Sequence, residues 1–237
     1  MSLDLVLRGG MVALPWGLER ADVGISDGRI VSIGTVTDPA AREVDCRHLH
    51  VLPGLIDTQV HFREPGLEHK EDLATGTAGA ALGGITAIFE MPNTNPNTDT
   101  AERLADKVRR GREKAHVDFA FFVGATTGNA DTLGRLERLP GCAGVKIFMG
   151  SSTGTLLVAE DDAIEAVLRN GHRRVAVHCE DEKRLIERRS LAAVGDPKTH
   201  PVWRDDVTAI RATERLLALA HRTGRPVHVL HVTTEEE

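Results

Sequence analysis

Two periodicities divide the chain. Up to about residue 50, apolar and polar positions alternate in short runs, LDLVLRGG, MVALP and ADVGISDGRIVSIG, and Asp27-Gly28 between alternating segments is a hairpin signal. Residues 1–52 are expected to form a small β module. After Pro53 the pattern changes to apolar strand-like runs, which end at Val60 and span 85–91, 117–125, 144–149, 175–180 and 226–233. Between these six runs lie helix-like stretches at about 70–82, 100–115, 131–139, 160–170, 180–191 and 206–224, several opening on Thr or Asp as cap candidates. Regular alternation of β and α elements over 53–237 predicts a parallel sheet flanked by helices. An open doubly wound sheet and a closed barrel both satisfy it. The GxGxxG loop of a dinucleotide-binding sheet is missing after the first strand.

Composition changes this picture little. The chain has 237 residues with 29 basic and 35 acidic side chains, a formal charge of −6, and the two signs are interleaved. No basic face for nucleic acid or membrane is present, so the expected partner is a small molecule. Three cysteines without CxxC spacing indicate neither a disulfide framework nor a zinc ribbon and fit a reducing cytoplasm. No run of 18 apolar residues and no signal-peptide pattern occurs, so a membrane location is not expected.

Chemistry gathers at the ends of the strand candidates. His61, His178 and His231 each close one; Lys146 lies within the fourth, and Asn93 follows the second. Side chains at C-terminal strand ends are how barrel enzymes assemble their sites. One histidine at a strand end is usually just hydrogen-bonded, but three on different strands supply most of the first shell of a divalent ion while leaving a position for water. Lys146, in the apolar GVKIFMG run, has two open readings. Desolvation favours its neutral amine, which reacts with carbon dioxide to give an anionic oxygen ligand; alternatively, the ammonium snorkels to the barrel mouth. Arg63 lies two residues after His61 in HFREPG, so on an extended strand both point the same way and the guanidinium is placed to grip a carboxylate.

Taken together, QVHFREPGLEHKEDL, EMPNTNPNT, GVKIFMGSSTG, HCEDE and HVLHVTT resemble the motif series of dihydroorotases, within the metal-dependent amidohydrolase superfamily. The resemblance covers essentially the whole chain. It implies a (β/α)₈ TIM-like barrel of which the first six strands are present, preceded by part of a small N-terminal β-sandwich module. It implies one or two Zn²⁺ ions, with His61 and an N6-carboxylated Lys146 on one and Lys146, His178 and His231 on the other. Arg63 and Asn93 are implied to hold the substrate carboxylate. The implied reaction is reversible hydrolysis of the cyclic amide of dihydroorotate to N-carbamoyl-aspartate in pyrimidine biosynthesis.

Two departures qualify the resemblance. Gln59-Val60-His61 stands where the family usually has HxH, and a glutamine carbonyl is a weaker ligand than imidazole. Family members are also longer, which implies that these residues are a portion of a longer chain. The general base is then expected beyond Glu237, no catalytic residue is assigned within the chain, and the isolated portion is expected not to turn over substrate. The rivals are another cyclic amidohydrolase, acting on hydantoins, dihydropyrimidines or allantoin, and a non-catalytic scaffold subunit of aspartate transcarbamoylase. A homo-oligomer also fits.

Overall fold

The computed structural model describes residues 2–152 and 155–237. The last two residues of the GVKIFMGSSTG motif, Thr153 and Gly154, lie outside the described residues. The chain divides into two compact units, Met1–Gly54 and Leu55–Glu237.

The first unit is a single mixed sheet. Strands β1 (Leu3–Leu14), β2 (Gly17–Ser26) and β3 (Arg29–Gly34) form an antiparallel meander, with Asp27 and Gly28 both at positive φ in the predicted hairpin turn. Two positive φ values in a row match the twist of the flanking strands. Strands β4 (Ala40–Asp45) and β5 (His50–Val51) then run parallel to β1. Leu3, Val6 and Val36 make its small core.

The second unit is a six-stranded, all-parallel sheet in simple sequential order: β6 (Leu55–Val60), β7 (Ile85–Glu90), β8 (Asp118–Gly124), β9 (Cys142–Phe148), β10 (Val175–His178) and β11 (Val227–Val229). Between them lie α1 (Leu73–Leu82), α2 (Ala101–Lys114), α3 (Leu133–Leu136), α4 (Asp161–Arg169), α5 (Glu182–Arg188), α6 (His200–Trp203) and α7 (Asp206–Thr223). Sequential parallel order is the topology of a β/α barrel and excludes the doubly wound alternative, whose strand order reverses. The unit is a six-strand portion of a barrel, with β6 and β11 at the two ends of the path among the described residues.

The main helices begin as their sequences require. The side chains of Asp72, Thr100, Asp181 and Asp205 each accept from the backbone N–H three residues on. Each such bond satisfies one otherwise orphaned helix donor, and its loss costs about 1 kcal/mol. Gly224 closes α7 in the left-handed conformation. The stretch at 131–139 divides into a 3-10 turn over Ala130–Thr132 and the four residues of α3.

Strand parity separates two faces. Phe121, Val123, Val145, Ile147, Val175 and Val177 pack with Leu104, Leu133, Ile164, Leu168, Leu216 and other helix residues in the main core. The intervening residues Phe122 and Ala176 belong to a separate cluster with Met91 and Leu230, on the face away from the helices. Lys146 pairs across the sheet with Ala176, and Phe148 with His178, so both chemical side chains occupy this second face.

Candidate metal centre

The strands deliver the predicted residues to one rim. His61 follows β6 directly, Lys146 lies in the last turn of pleat of β9, His178 ends β10, and His231 follows β11. Strand β11 is shorter than its apolar run predicts, since His231 takes a positive φ of 41° and the chain leaves the sheet there.

His178 and His231 are in contact. Their Nδ1 and Nε2 atoms stand 3.0 Å apart. The other nitrogen of His178, Nε2, lies 2.6 Å from the carboxylate of Glu180. A carboxylate only accepts, so this places the ring proton on Nε2 and a lone pair on Nδ1. His231 in turn hydrogen-bonds its own backbone. The two rings thus turn Nδ1 of His178 and Nε2 of His231 toward one another. Two nitrogens on one tetrahedral zinc stand roughly 3.3 Å apart, given Zn–N bonds of about 2.0–2.1 Å. The pair borders a cleft of about 320 Å³, lined also by Cys179, Glu180, Arg204 and Glu237.

Lys146 is 1% exposed and has no acidic partner among the described residues. Its Nζ lies 4.5 Å from the centre of the Phe148 ring. Burial lowers its pKa to about 7, so near neutrality a large fraction is the free amine. His61 is lowered to about 4, first by burial and then by the charges of Arg63 and Lys146, with a hydrogen bond to the Asn93 side chain opposing. Its Nδ1 is buried without a hydrogen-bond partner. Burial and the charges of His178 and Lys146 also depress His231. Lys146 therefore acts electrostatically on both His61 and His231.

Arg63 and Asn93 come together in the adjoining loops. Arg63 takes a φ of 66° and donates from Nη1 to the Asn93 carbonyl at 3.3 Å, while Asn93 is 2% exposed. Gly66 lets the two loops meet: at its φ of 87°, a Cβ would lie 2.0 Å from the Asn95 carbonyl oxygen. Gln59 lies half-buried in β6, two residues before His61.

Among the described residues, no three His, Cys, Asp or Glu side chains converge as a ready metal cage. The donor set still fits a divalent ion, through the facing imidazole nitrogens and the orphaned His61 Nδ1, provided that Lys146 contributes an anionic oxygen rather than an ammonium.

Two features escaped the sequence reading. Glu180, two residues after His178 in HCEDE, sits between His178 and the Arg204 guanidinium. The i, i+2 spacing was the available signal, but Arg204 carried none. The second is Lys107, fully buried on α2, which pairs at 2.8 Å with the buried Glu90. The Arg63 backbone N–H also bonds Glu90.

The Dihydro-orotase-like family matches residues 49–147. The chain is 38% identical over 99% of its length to an allantoinase of Deinococcus radiodurans, of which it covers 54%. It is 36% identical over 90% of its length to a dihydroorotase of Methanothermobacter thermautotrophicus, covering 48% of that protein. Among solved structures, the L-hydantoinase (dihydropyrimidinase) from Arthrobacter aurescens superposes with a TM-score of 0.89 at 26% identity, over 97% of this chain and 53% of the other. The chain thus spans about half the length of the relatives it matches. The six-strand parallel portion and the separate mixed sheet match the corresponding part of that hydantoinase's fold. No helix among the described residues is long and apolar enough to cross a membrane.

Proposed function

We propose that this chain, whose matches support a place in the cyclic amidohydrolase superfamily, carries the metal-binding part of an enzyme that hydrolyses a cyclic amide, with dihydroorotate as the substrate. The observation that carries the reading is the approach of His178 Nδ1 and His231 Nε2 to 3.0 Å, beside a buried lysine with no acidic partner among the described residues.

His61, Lys146, His178 and His231 are the residues that hold the ion, taken to be Zn²⁺. Lys146 prepares itself for this role. As the free amine its nitrogen attacks carbon dioxide, an N–C bond forms, and the proton released from nitrogen passes to solvent, leaving a carbamate. Burial that disfavours the ammonium favours this step. A divalent ion in such a site polarises an amide carbonyl and activates water. Arg63 and Asn93 hold the substrate carboxylate, so that the ring carbonyl is presented in one orientation and attack on it becomes effectively intramolecular.

A second reading, allantoin as substrate, is favoured by the allantoinases among the relatives. Calorimetric titration of the zinc-loaded chain separates the two. Dihydroorotate and N-carbamoyl-aspartate are expected to bind, and Arg63→Ala to weaken both by about 10- to 100-fold, since a charge-assisted pair contributes roughly 1.5–3 kcal/mol. Preferential binding of allantoin, unchanged by Arg63→Ala, would replace the first reading with the second. No zinc uptake at all would overturn both and leave the scaffold subunit.

A further inference from the structure

The sequence HCEDE places Glu180 beside His178, and the fold brings a distant arginine onto it. Glu180 accepts from His178 Nε2 at 2.6 Å and forms an ion pair with Arg204 Nη1. These side chains are 12–15% exposed, so the pair is largely shielded from water. Arg204 is itself held on every side. Its guanidinium stacks 4.4 Å from the centre of the Trp203 ring, its Nη2 donates to the Ser151 carbonyl at 2.7 Å, and its own N–H closes α6 on His200. Trp203 is pinned in turn by its Nε1, which donates to the Leu185 carbonyl at 2.8 Å. Ser151 lies five residues beyond Lys146, and the Glu182 carboxylate accepts from both its N–H and its hydroxyl. One guanidinium therefore ties together the loop after β9, the loop after β10 and helix α6.

We infer that Glu180 and Arg204 are a positioning pair that fixes the tautomer and ring orientation of His178, holding its Nδ1 lone pair toward His231 and thereby setting the affinity of the site for a divalent ion. The inference rests on the metal reading given above. The chemistry is direct. Neutral imidazole carries one proton, and a carboxylate at Nε2 holds that proton there and makes Nδ1 the more basic donor. Without the carboxylate the ring distributes its proton over both nitrogens and rotates about its bonds to the backbone. Glu180 alone has rotamer freedom; the Arg204 bond removes it.

Two measurements on the 237-residue chain test this. In metal-free protein, the ¹⁵N shifts of His178 read the tautomer without reference to any ion. The wild type is expected as the Nε2–H form, Glu180→Ala as a mixture, and Glu180→Gln, whose amide oxygen still accepts, close to wild type. Competition of zinc against a chromophoric chelator reads affinity. Glu180→Ala is expected to weaken binding about 10- to 100-fold, and Arg204→Met and Glu180→Gln by less. Retention of the far-UV spectrum shows that each variant has folded, and Arg204→Met, expected to shift part of the population toward the mixture, serves where Glu180→Ala has not. An unchanged tautomer in folded Glu180→Ala or, if the alanine variant does not fold, in Arg204→Met overturns the positioning role. Zinc affinity equal to wild type in the same folded variant does so as well. Failure of the wild type to bind zinc overturns the metal reading instead, while the tautomer measurement still decides the pair.

Discussion

Two buried charge sites at opposite ends of the parallel sheet, the Glu137–Arg225 pair and Lys146, are compensated in opposite ways. At the N-terminal ends of the strands, Glu137 and Arg225 are 1% and 5% exposed and form an ion pair at 2.8 Å. The backbone N–H groups of His172 and Arg173 also donate to Glu137, and Arg225 Nε donates to the Arg173 carbonyl. At the C-terminal ends, Lys146 is equally buried with an aromatic ring for company, and His61 Nδ1 has no hydrogen-bond partner among the described residues. Burial is the same; compensation is not. A compensated buried charge is part of the scaffold, whereas an uncompensated one surrenders its proton and becomes available for chemistry. This division follows the general rule for barrels, in which the N-terminal face serves stability and the C-terminal face carries the site.

The largest effect should separate the ends outright. Arg225→Met leaves the Glu137 carboxylate buried without its counter-ion and is expected to destabilise the second unit by about 3–5 kcal/mol in denaturant unfolding. Lys146→Met, at equal burial, is expected to cost less than about 1 kcal/mol, because it replaces an unpaired polar end with an isosteric apolar one, and to abolish zinc uptake in the same preparation. Equal destabilisation by the two variants would erase the contrast.

A smaller effect sharpens it. Glu64 is fully buried near the C-terminal end, yet it is compensated: Lys114 meets it at 2.6 Å, Arg110 at 3.2 Å, and the Leu73 N–H donates to it. Burial alone would raise its pKa, but the bonds from Lys114, Leu73 and Arg110 outweigh burial and hold it below the usual carboxylate range. A lowered folded-state pKa contributes stability above the unfolded value of about 4.3, and this contribution is lost as the pH falls through the lower folded value. Acid unfolding of Lys114→Met is therefore expected to show a shallower dependence on pH below about 4.3, with a loss of about 1 kcal/mol at neutral pH. A pH profile identical to wild type would show that Lys114 contributes nothing to holding this carboxylate, leaving Arg110 and the Leu73 N–H.

How much was legible beforehand varies with the range of the interaction. The βα alternation, the Asp27-Gly28 hairpin and most helix starts follow from periodicity and from caps within three residues, and the strand-end placement of His61, His178 and His231 came with them. The shortened β11 was not legible, because His231 leaves the strand to meet His178 rather than to satisfy any local preference. Lys107 reads as one more polar residue of an amphipathic helix, and only the sheet packed against α2 shows that it is buried on Glu90. Arg204 carries no motif and looks like a surface charge.

By itself, the sequence determined the class of fold, the residues that reach the C-terminal rim and the chemical type of each. Those properties are written in spacings of two to four residues. The tertiary structure alone decided which charges are paired. His178 meets His231 across 53 residues, Glu180 meets Arg204 across 24, and Glu137 meets Arg225 across 88. Contacts at such separations form only when the whole sheet has closed its register, so no local pattern distinguishes the glutamate that holds a structure together from the one that aims a histidine.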